Sequence, residues 1–163
     1  MAERPNADVI IDALQLESHP EGGYYRETYR ADEEVQRGDG TTRNAGTGIY
    51  FLLTSGICTQ WHRFGADELW HFYTGDTLVI ETVDPEGNFN QLSLDDRFGG
   101  DGKFQQLVPN NCWQRAYSTG DYTLVGTTVF PGFEFGDFEK IDRQELAEQF
   151  PEIRSDIVRN PFG

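Results

Sequence analysis

The chain has 163 residues and a formal net charge of −15 at pH 7. Its length fits one domain with a sizeable core, and its acidic balance argues against nucleic acid as a partner, because phosphate contacts need clustered Lys and Arg. No apolar run is long enough for a bilayer span, so no membrane association is expected. Residues 1–7 are polar and do not resemble a signal peptide. Two cysteines without a CxxC pair make no disulfide framework or zinc motif, and a cytoplasmic location is expected.

The excess of acidic side chains has two interpretations. Acidic residues are spread along the chain, and Lys103 and Lys140 are its only lysines. A dense carboxylate surface suits a protein adapted to high salt, where self-repulsion is screened. The alternative is an ordinary acidic protein. A purification that requires molar salt would support the first interpretation.

The N-terminal part predicts a short helix followed by strands. Asn6 can cap a helix over 6–17, where apolar residues recur at helical spacing. Residues 18–23 contain Pro and Gly and end that helix. Aromatic and β-branched content then predicts strands at 24–30 and 47–54, with an exposed polar loop at 31–43.

The remainder predicts further short strands and a C-terminal helix. The turn 84–88 joins two of the strands as a hairpin. After Pro131 the chain is irregular until Asp142 and Glu145, which resemble a capping box and begin a helix ending at Phe150. The predicted strands cover 77–83, 89–94, 104–108, 113–118 and 122–130, with a Gly- and Asp-rich loop at 95–103.

Many short strands at turn-rich spacing, with helices only at the ends, predict an all-β fold. The expected architecture is a single jelly-roll barrel comprising residues 1–163 as one domain. Its core covers about 22–135, with terminal helices at about 6–17 and 142–150.

The stretch from Gly56 to Gly75 has the most informative spacing. Five residues separate Gly56 from His62, one separates His62 from Phe64, three separate Phe64 from Glu68, and six separate Glu68 from Gly75. This spacing resembles the first signature of the cupin superfamily, which reads Gly, His, x, His, Glu, Gly. Phe64 stands where the signature has its second histidine.

Alternation along extended strands brings several of these side chains to one face. If 59–64 is a strand, every second residue points the same way, and the same holds for the strand that begins at Glu68. A barrel closes that face inward, so His62 and Glu68 are expected to meet in one cavity. The residues predicted to line it are Gln60, His62, Phe64, Glu68, Trp70 and Phe72.

A second cupin-like signature lies downstream. It places Pro, Gly and His at the positions of Pro109, Asn111 and Gln114. The metal ligands that such signatures supply are thereby reduced to His62, Glu68 and Gln114. Two good ligands and a weak amide rarely hold a metal tightly. No cofactor is therefore expected, and a divalent metal on these three side chains stays an alternative.

Arg26 is a further candidate for ligand binding. On the strand 24–30 it shares a face with Tyr24, Thr28 and Arg30. If this face points into the barrel, its guanidinium can hold a carboxylate or phosphate in a bidentate way. The alternative is an ion pair at the surface or at an interface.

The other reactive side chains are expected outside the catalytic set. His71 falls on the opposite strand face from Glu68 and is expected to pack between sheets or at a dimer interface. His19 is expected to be a turn or packing residue. Cys58 and Cys112 are expected as small buried hydrophobes, with a place in the cavity wall as the alternative.

The resemblance extends over nearly the whole chain, from about residue 14 to 150. Together, its segments look like a family of small single-domain cupins, known as a domain of unknown function, from bacteria, archaea, fungi and plants. The resemblance implies a jelly-roll barrel, commonly a homodimer, with distant similarity to dTDP-sugar epimerases, and it implies no proven reaction. The segments are 19–30, 49–53, 61–63, 67–73, 108–109, 112–114, 124–126 and 130–139.

Three functions remain open. The first is a metal-independent enzyme resembling sugar-nucleotide epimerases or isomerases, with His62 as general base. In it Glu68 orients His62 or supplies the opposing acid, Gln114 binds the developing enolate, and the aromatic residues exclude water. The second is a non-catalytic module that binds a small ring-shaped ligand. The third is a metal-dependent oxygenase with a reduced ligand set.

Overall fold

The computed structural model describes residues 3–163, and most of its regular structure is strand. Three short α-helices are α1 (Ala7–Leu14), α2 (Arg143–Gln149) and α3 (Arg154–Val158). The strands are β1 (Glu17–Ser18), β2 (Tyr24–Arg30), β3 (Glu34–Gln36), β4 (Thr42–Asn44), β5 (Thr47–Thr54), β6 (His62–Arg63), β7 (Asp67–Gly75), β8 (Leu78–Val83), β9 (Phe89–Leu94), β10 (Gln105–Val108), β11 (Trp113–Ser118), β12 (Tyr122–Phe130) and β13 (Glu139–Lys140).

The strands form two facing antiparallel sheets and one small hairpin. The six-stranded sheet has the order β1-β2-β5-β12-β7-β10, and the five-stranded sheet has the order β13-β6-β11-β8-β9. Strands β3 and β4 pair only with each other. Within 3–163 no strand pair joins the two large sheets into a closed cylinder. The predicted all-β jelly-roll fold is confirmed, with the barrel open along its edges.

The main core lies between the two large sheets. Inward-facing residues of the six-stranded sheet, such as Phe51 and Trp70, pack in one buried cluster with Ile80 and Leu94 of the five-stranded sheet. Full burial of one such side chain stabilises the fold by about 1.5–3 kcal/mol. Phe51 and Trp70 also border the cavity described below, so the cavity adjoins this cluster.

The helices cover the outer faces of the sheets. Helix α1 buries Ile10 against Leu52 and Leu124 of the six-stranded sheet. Helices α2 and α3 bury Leu146 and Ile157 in a cluster against the five-stranded sheet. No helix within residues 3–163 is both long and apolar enough to cross a membrane.

Both predicted helices are present, and both begin at the expected cap. The Asn6 side chain accepts a hydrogen bond from the Val9 amide at 3.0 Å. Asp142 accepts a hydrogen bond from the Gln144 amide at 2.8 Å. The donor is the residue before Glu145, the predicted capping-box partner. Helix α3 was not predicted.

Two predictions of local structure were wrong. The loop expected at 31–43 contains β3 and reaches into β4, which pair as a hairpin. The strand expected at 59–64 is regular only over His62–Arg63, which pairs with Gln114 on one side and with Glu139–Lys140 on the other. The residues before His62 therefore do not follow strand alternation.

Candidate functional site

A cavity of about 300 Å³ lies inside the open end of the barrel. The inward faces of β2, β5, β7 and β12 form its walls, together with the segment before β2 and the one after β12. Its lining residues are Glu17, His19, Glu21, Tyr25, Glu27, Arg30, Thr47, Ile49, Phe51, His62, Phe64, Glu68, Trp70, Thr127, Val129, Phe133 and Phe135.

The cavity has a buried floor and an exposed mouth. His62 and Trp70 are only 2% and 1% exposed, and Glu68 is 7% exposed. Glu27 and Phe135 are exposed, so they mark the mouth. A ligand that reaches the floor is therefore surrounded by protein, where electrostatic interactions are stronger than in water.

His62 is held through one of its two ring nitrogens. Its Nδ1 lies 2.8 Å from the Gln60 carbonyl oxygen, which can only accept, so Nδ1 carries the proton. Glu21 Oε2 lies 2.9 Å from the same nitrogen as an ion-pair partner, although the N–H bond is directed at Gln60. This arrangement leaves Nε2 as the ring nitrogen for a ligand.

Electrostatics favour the charged form of His62. Burial alone lowers the pKa of this imidazole, but the Glu21 carboxylate, the Gln60 carbonyl and Glu68 together raise it above its usual value of 6.5. The ring also stacks with Phe138 at 5.1 Å and with Phe64 at 6.4 Å between ring centroids. The His62 ring is thus fixed in orientation, and its carboxylate partner Glu21 makes it more basic.

His19 lies beside the same carboxylate in the opposite tautomer. Its Nδ1 accepts a hydrogen bond from the Glu21 amide at 3.1 Å, so the proton of the neutral ring is on Nε2. Burial lowers the pKa of His19, and the neighbouring His62 and Lys140 lower it further against the effect of Glu21. The cavity therefore holds a neutral histidine next to a more basic one.

Glu68 is a buried carboxyl that is partly protonated near neutral pH. Burial raises its pKa to about 7, with Glu21 adding to the rise, while His62, Gln114 and Thr127 oppose it. The Gln114 amide donates a hydrogen bond to Glu68 Oε1 at 2.9 Å. Glu68 can therefore serve as a proton donor or as a carboxylate within the pH range of most cells.

Aromatic residues that follow β12 cover the site. Phe133 packs edge-on against Phe64 at 5.3 Å between ring centroids, and it also contacts Phe135. Asp137 anchors this segment to the rest of the protein, because it accepts two hydrogen bonds from Arg43, at 2.7 and 2.5 Å. These contacts hold an apolar cover over His62.

Comparison with known proteins identifies the family. A family model described as Cupin superfamily (DUF985) matches residues 8–141. The chain belongs to this family. Protein SO0799 from Shewanella oneidensis has a similar structure, with a TM-score of 0.86 and 35% identity over 94% of this chain and 96% of that one. A hypothetical protein from Leishmania major gives a TM-score of 0.88 at 30% identity, over 94% and 97% of the two chains.

More distant relatives of this cupin extend the comparison. Uncharacterized protein YML079W from Saccharomyces cerevisiae is 26% identical over an alignment 153 residues long, which covers 84% of this chain and 76% of that protein. A dTDP sugar isomerase from Desulfovibrio desulfuricans is 14% identical, with a TM-score of 0.53 over 74% of this chain and 82% of that one. The isomerase shares the fold, and at this identity the likeness shows the fold alone.

Four of the residues predicted to line the cavity of this cupin do so. His62, Phe64, Glu68 and Trp70 all border it. Alternation along β7 places Glu68 and Trp70 on its inner face, as the sequence predicts. The chemical roles assigned to these residues stay predictions.

The other four predicted lining or binding residues lie elsewhere. Gln60 is exposed and contributes only its carbonyl oxygen, because its segment is not a regular strand. Phe72 lies on the correct face but deeper, within the main core. Gln114 is behind Glu68 rather than in the cavity wall. Arg26 is exposed and donates a hydrogen bond to Gln15 instead of pointing into the barrel.

The remaining predicted side chains fall outside the cavity, with one exception. His71 lies on the other face of β7 from Glu68, bonded to Thr128 at 2.9 Å and to Gln105 at 3.2 Å. Cys112 is buried in the main core, and Cys58 is half-buried away from the cavity. His19, expected as a turn or packing residue, lines the cavity.

Sequence reasoning missed the residues that loops bring to the site. Glu21 was not singled out, and neither were Phe133 and Phe135, nor Tyr25 of the strand β2. A signal was present, because the segments 19–30 and 130–139 carry the family resemblance although neither contains a signature motif. Segments of this kind that flank a barrel strand at its open end are candidates for a cavity wall.

A divalent metal on His62, Glu68 and Gln114 stays a prediction. Gln114 donates its amide N–H to Glu68 and His62 Nδ1 is bonded to Gln60, while Gln114 Oε1 has no hydrogen-bond partner within residues 3–163. Within residues 3–163, no group of three or more His, Cys, Asp and Glu side chains is arranged to hold a metal ion.

Proposed function

We propose that this cupin binds a small cyclic ligand in its cavity and acts on it as a metal-independent isomerase or epimerase-like enzyme. One observation carries the proposal. The Nδ1 atom of His62 is held by Gln60 and Glu21, which presents Nε2 to a ligand in a cavity that also contains the partly protonated Glu68. A base and an acid in one enclosed space are the requirement for moving a proton on a carbon next to a carbonyl group.

His62 is the proposed base. In its neutral Nδ1–H form the lone pair is on Nε2, which removes a proton from the carbon atom next to the carbonyl. The resulting imidazolium is stabilised by Glu21 Oε2 at 2.9 Å. The electron pair of the broken C–H bond forms an enolate, which needs a hydrogen-bond donor at its oxygen.

The cavity wall offers donors for the enolate and for the returning proton. Trp70 lines the cavity, and its Nε1–H has no hydrogen-bond partner within residues 3–163. Burial raises the pKa of the Tyr25 hydroxyl, with Glu17 and Glu27 adding to the rise, so this group stays protonated at neutral pH. Tyr25 or protonated Glu68 returns a proton to the carbon, and return to the opposite face gives the epimer. Gln114, which was assigned to the enolate from sequence, instead positions Glu68.

A binding module without turnover is the second candidate. The walls combine aromatic and aliphatic side chains such as Phe51, Phe64 and Ile49 with a few polar groups, which is the usual composition of a ligand pocket. A volume of about 300 Å³ suits a single ring. In this case a ligand stabilises the fold and is recovered unchanged.

Proton exchange with solvent tests the enzyme proposal. Cyclic ketones and reducing sugars that raise the melting temperature are incubated with the protein in deuterium oxide and analysed by mass spectrometry. We expect deuterium incorporation by the wild type, and a loss of roughly 10²-fold or more in His62→Gln, the contribution typical of a general base. His71→Gln is the matched control, because His71 lies on the opposite face of β7 from Glu68. Unchanged incorporation in His62→Gln would refute the role of His62.

A further inference from the structure

Among residues 3–163, Arg30 is the one arginine of the cavity wall, and it has no free hydrogen-bond donor. Arg30 Nε and Nη2 donate to Glu27 at 3.1 and 2.6 Å, and Nη2 also donates to the Phe133 carbonyl at 3.0 Å. Its Nη1 donates to Asn44 at 2.8 Å and to Glu134 at 3.0 Å. A guanidinium has five N–H bonds, and these five contacts occupy all of them. Two carboxylates also neutralise its charge, so Arg30 is not available to an anionic ligand.

The other charged groups of the cavity are mostly acidic. Glu17 and Glu27 are exposed at its mouth, while Glu21 and Glu68 lie further inside. The imidazole of His62 is already paired with Glu21. A phosphate or carboxylate that enters would meet like charges, and within residues 3–163 the cavity wall offers it no unpaired cation, which disfavours its binding.

Cations near the cavity do not alter this balance. Lys140 acts on His19 through space, but it is exposed and does not line the cavity. Arg43 and Arg37 are bound to Asp137. The overall charge of −15 adds a long-range repulsion of anions.

Two polar atoms without a hydrogen bond indicate what a ligand must offer. Glu21 Oε2 lies 2.9 Å from His62 Nδ1 as its ion-pair partner, but the N–H of that nitrogen is directed at Gln60, so this buried acceptor receives no hydrogen bond within residues 3–163. Trp70 Nε1 is a buried donor that likewise has no hydrogen-bond partner in this part of the chain. Both residues line the cavity. Such atoms are costly unless a ligand or water satisfies them. A ring that carries O–H or N–H groups and a carbonyl or ether oxygen matches both.

We infer that the cavity selects an uncharged or cationic ring bearing hydroxyl or amino groups, and that it rejects the phosphorylated and carboxylated forms of the same ring. The inference deepens the proposed function and rests on ligand binding in the same cavity. It argues against a sugar nucleotide as the substrate, since a diphosphate at the mouth would face Glu17 and the net negative charge of Glu27 and Glu134 around Arg30.

A matched set of sugars tests this selection. Glucose, glucosamine, glucuronate and glucose 6-phosphate are titrated at constant ionic strength, followed by the NMR signals of the His62 ring and the Trp70 indole. We expect glucose or glucosamine to shift both signals, and both anionic members to bind at least about tenfold more weakly. Equal or tighter binding of glucuronate or glucose 6-phosphate would overturn the inference. The absence of NMR shifts with both glucose and glucosamine would overturn it as well.

A change of the protein provides an independent test with inorganic phosphate. Glu27→Gln combined with Glu134→Gln releases Arg30 from both carboxylates. We expect phosphate to raise the melting temperature of this double variant and not that of the wild type or of the exposed control Glu148→Gln. Equal stabilisation of the wild type would overturn the inference. Failure of deuterium exchange alone would refute the isomerase proposal and leave the charge selection standing.

Discussion

Replacing Glu68 with Gln removes a buried carboxyl whose ionisation opposes folding. Burial raises the pKa of Glu68 from 4.5 to about 7. A group whose pKa is raised in the folded state favours folding when protonated, and this advantage is lost as the pH rises from 4.5 to about 7. At about 1.4 kcal/mol per pH unit, the loss is about 3 kcal/mol above neutral pH.

The Glu68→Gln variant should therefore gain stability at alkaline pH and little at acid pH. The amide oxygen at position 68 can still accept the hydrogen bond from Gln114, so the local packing is retained. For a domain of this size, about 3 kcal/mol corresponds to a rise of roughly 6–12 °C in melting temperature. The measurement is a thermal melt at about pH 8 and about pH 5, the two sides of the expected transition. Glu148→Gln, at an exposed position of α2, controls for the loss of one negative charge.

Two results would refute this reasoning. A difference between variant and wild type that is the same at both pH values would show that the carboxyl does not titrate in this window. A lower stability of Glu68→Gln at alkaline pH would show that the ionised carboxylate is favoured by its surroundings, against the dominance of burial.

Further substitutions test the ion pairs of Glu21 and Glu81, with the surface pair of Glu139 as the comparison. Glu21→Gln should lower the pKa of His62, because the carboxylate raises it, and an unchanged NMR titration would contradict the assigned ion pair. Arg115→Met should cost roughly 1–3 kcal/mol or more in denaturant unfolding, because it removes the partner 2.6 Å from Oε2 of the fully buried Glu81, while Arg159 and Gln91 still bind Oε1. Arg63→Met breaks a surface pair and should cost no more than about 1 kcal/mol, and similar losses in the two variants would contradict the role of burial.

Strand alternation explains why the floor of the cavity was predictable. The face of β7 that carries Glu68 and Trp70 follows from a period of two, and the structure has both residues on the inner wall. The same reasoning failed for Gln60, because regular pairing begins only at His62. Periodicity gives the correct face only where the backbone pairs regularly with its neighbours.

A bulge explains why two arginines of β2 lie on different faces. Before it, Arg26 shares the outer face with Tyr24, which packs in the cluster under α1. The register of β2 against β5 then shifts between Glu27 and Tyr29, so Arg30 lies in the cavity wall although it has the same parity in the sequence as Arg26. No Gly or Pro in the strand marks the bulge, so it could not be predicted from local sequence.

Loops carry the residues of the site that strand periodicity does not predict. Glu21 is close to His62 only because the segment between α1 and β2 folds over the open end of the barrel. Phe133 and Phe138 reach the site through the irregular segment after β12. Such contacts depend on the tertiary path of the chain rather than on a periodic pattern.

The tautomers and pKa values of the three histidines test the central claim most directly. In nitrogen-15 NMR spectra of the histidine rings across neutral pH, His62 should carry its proton on Nδ1 and titrate above 6.5. His19 and His71 should be protonated on Nε2 and titrate below 6.5, which makes them internal controls. That pattern would establish His62 Nε2 as the available base of the cavity. A neutral His62 protonated on Nε2, with a pKa below 6.5, would contradict the account.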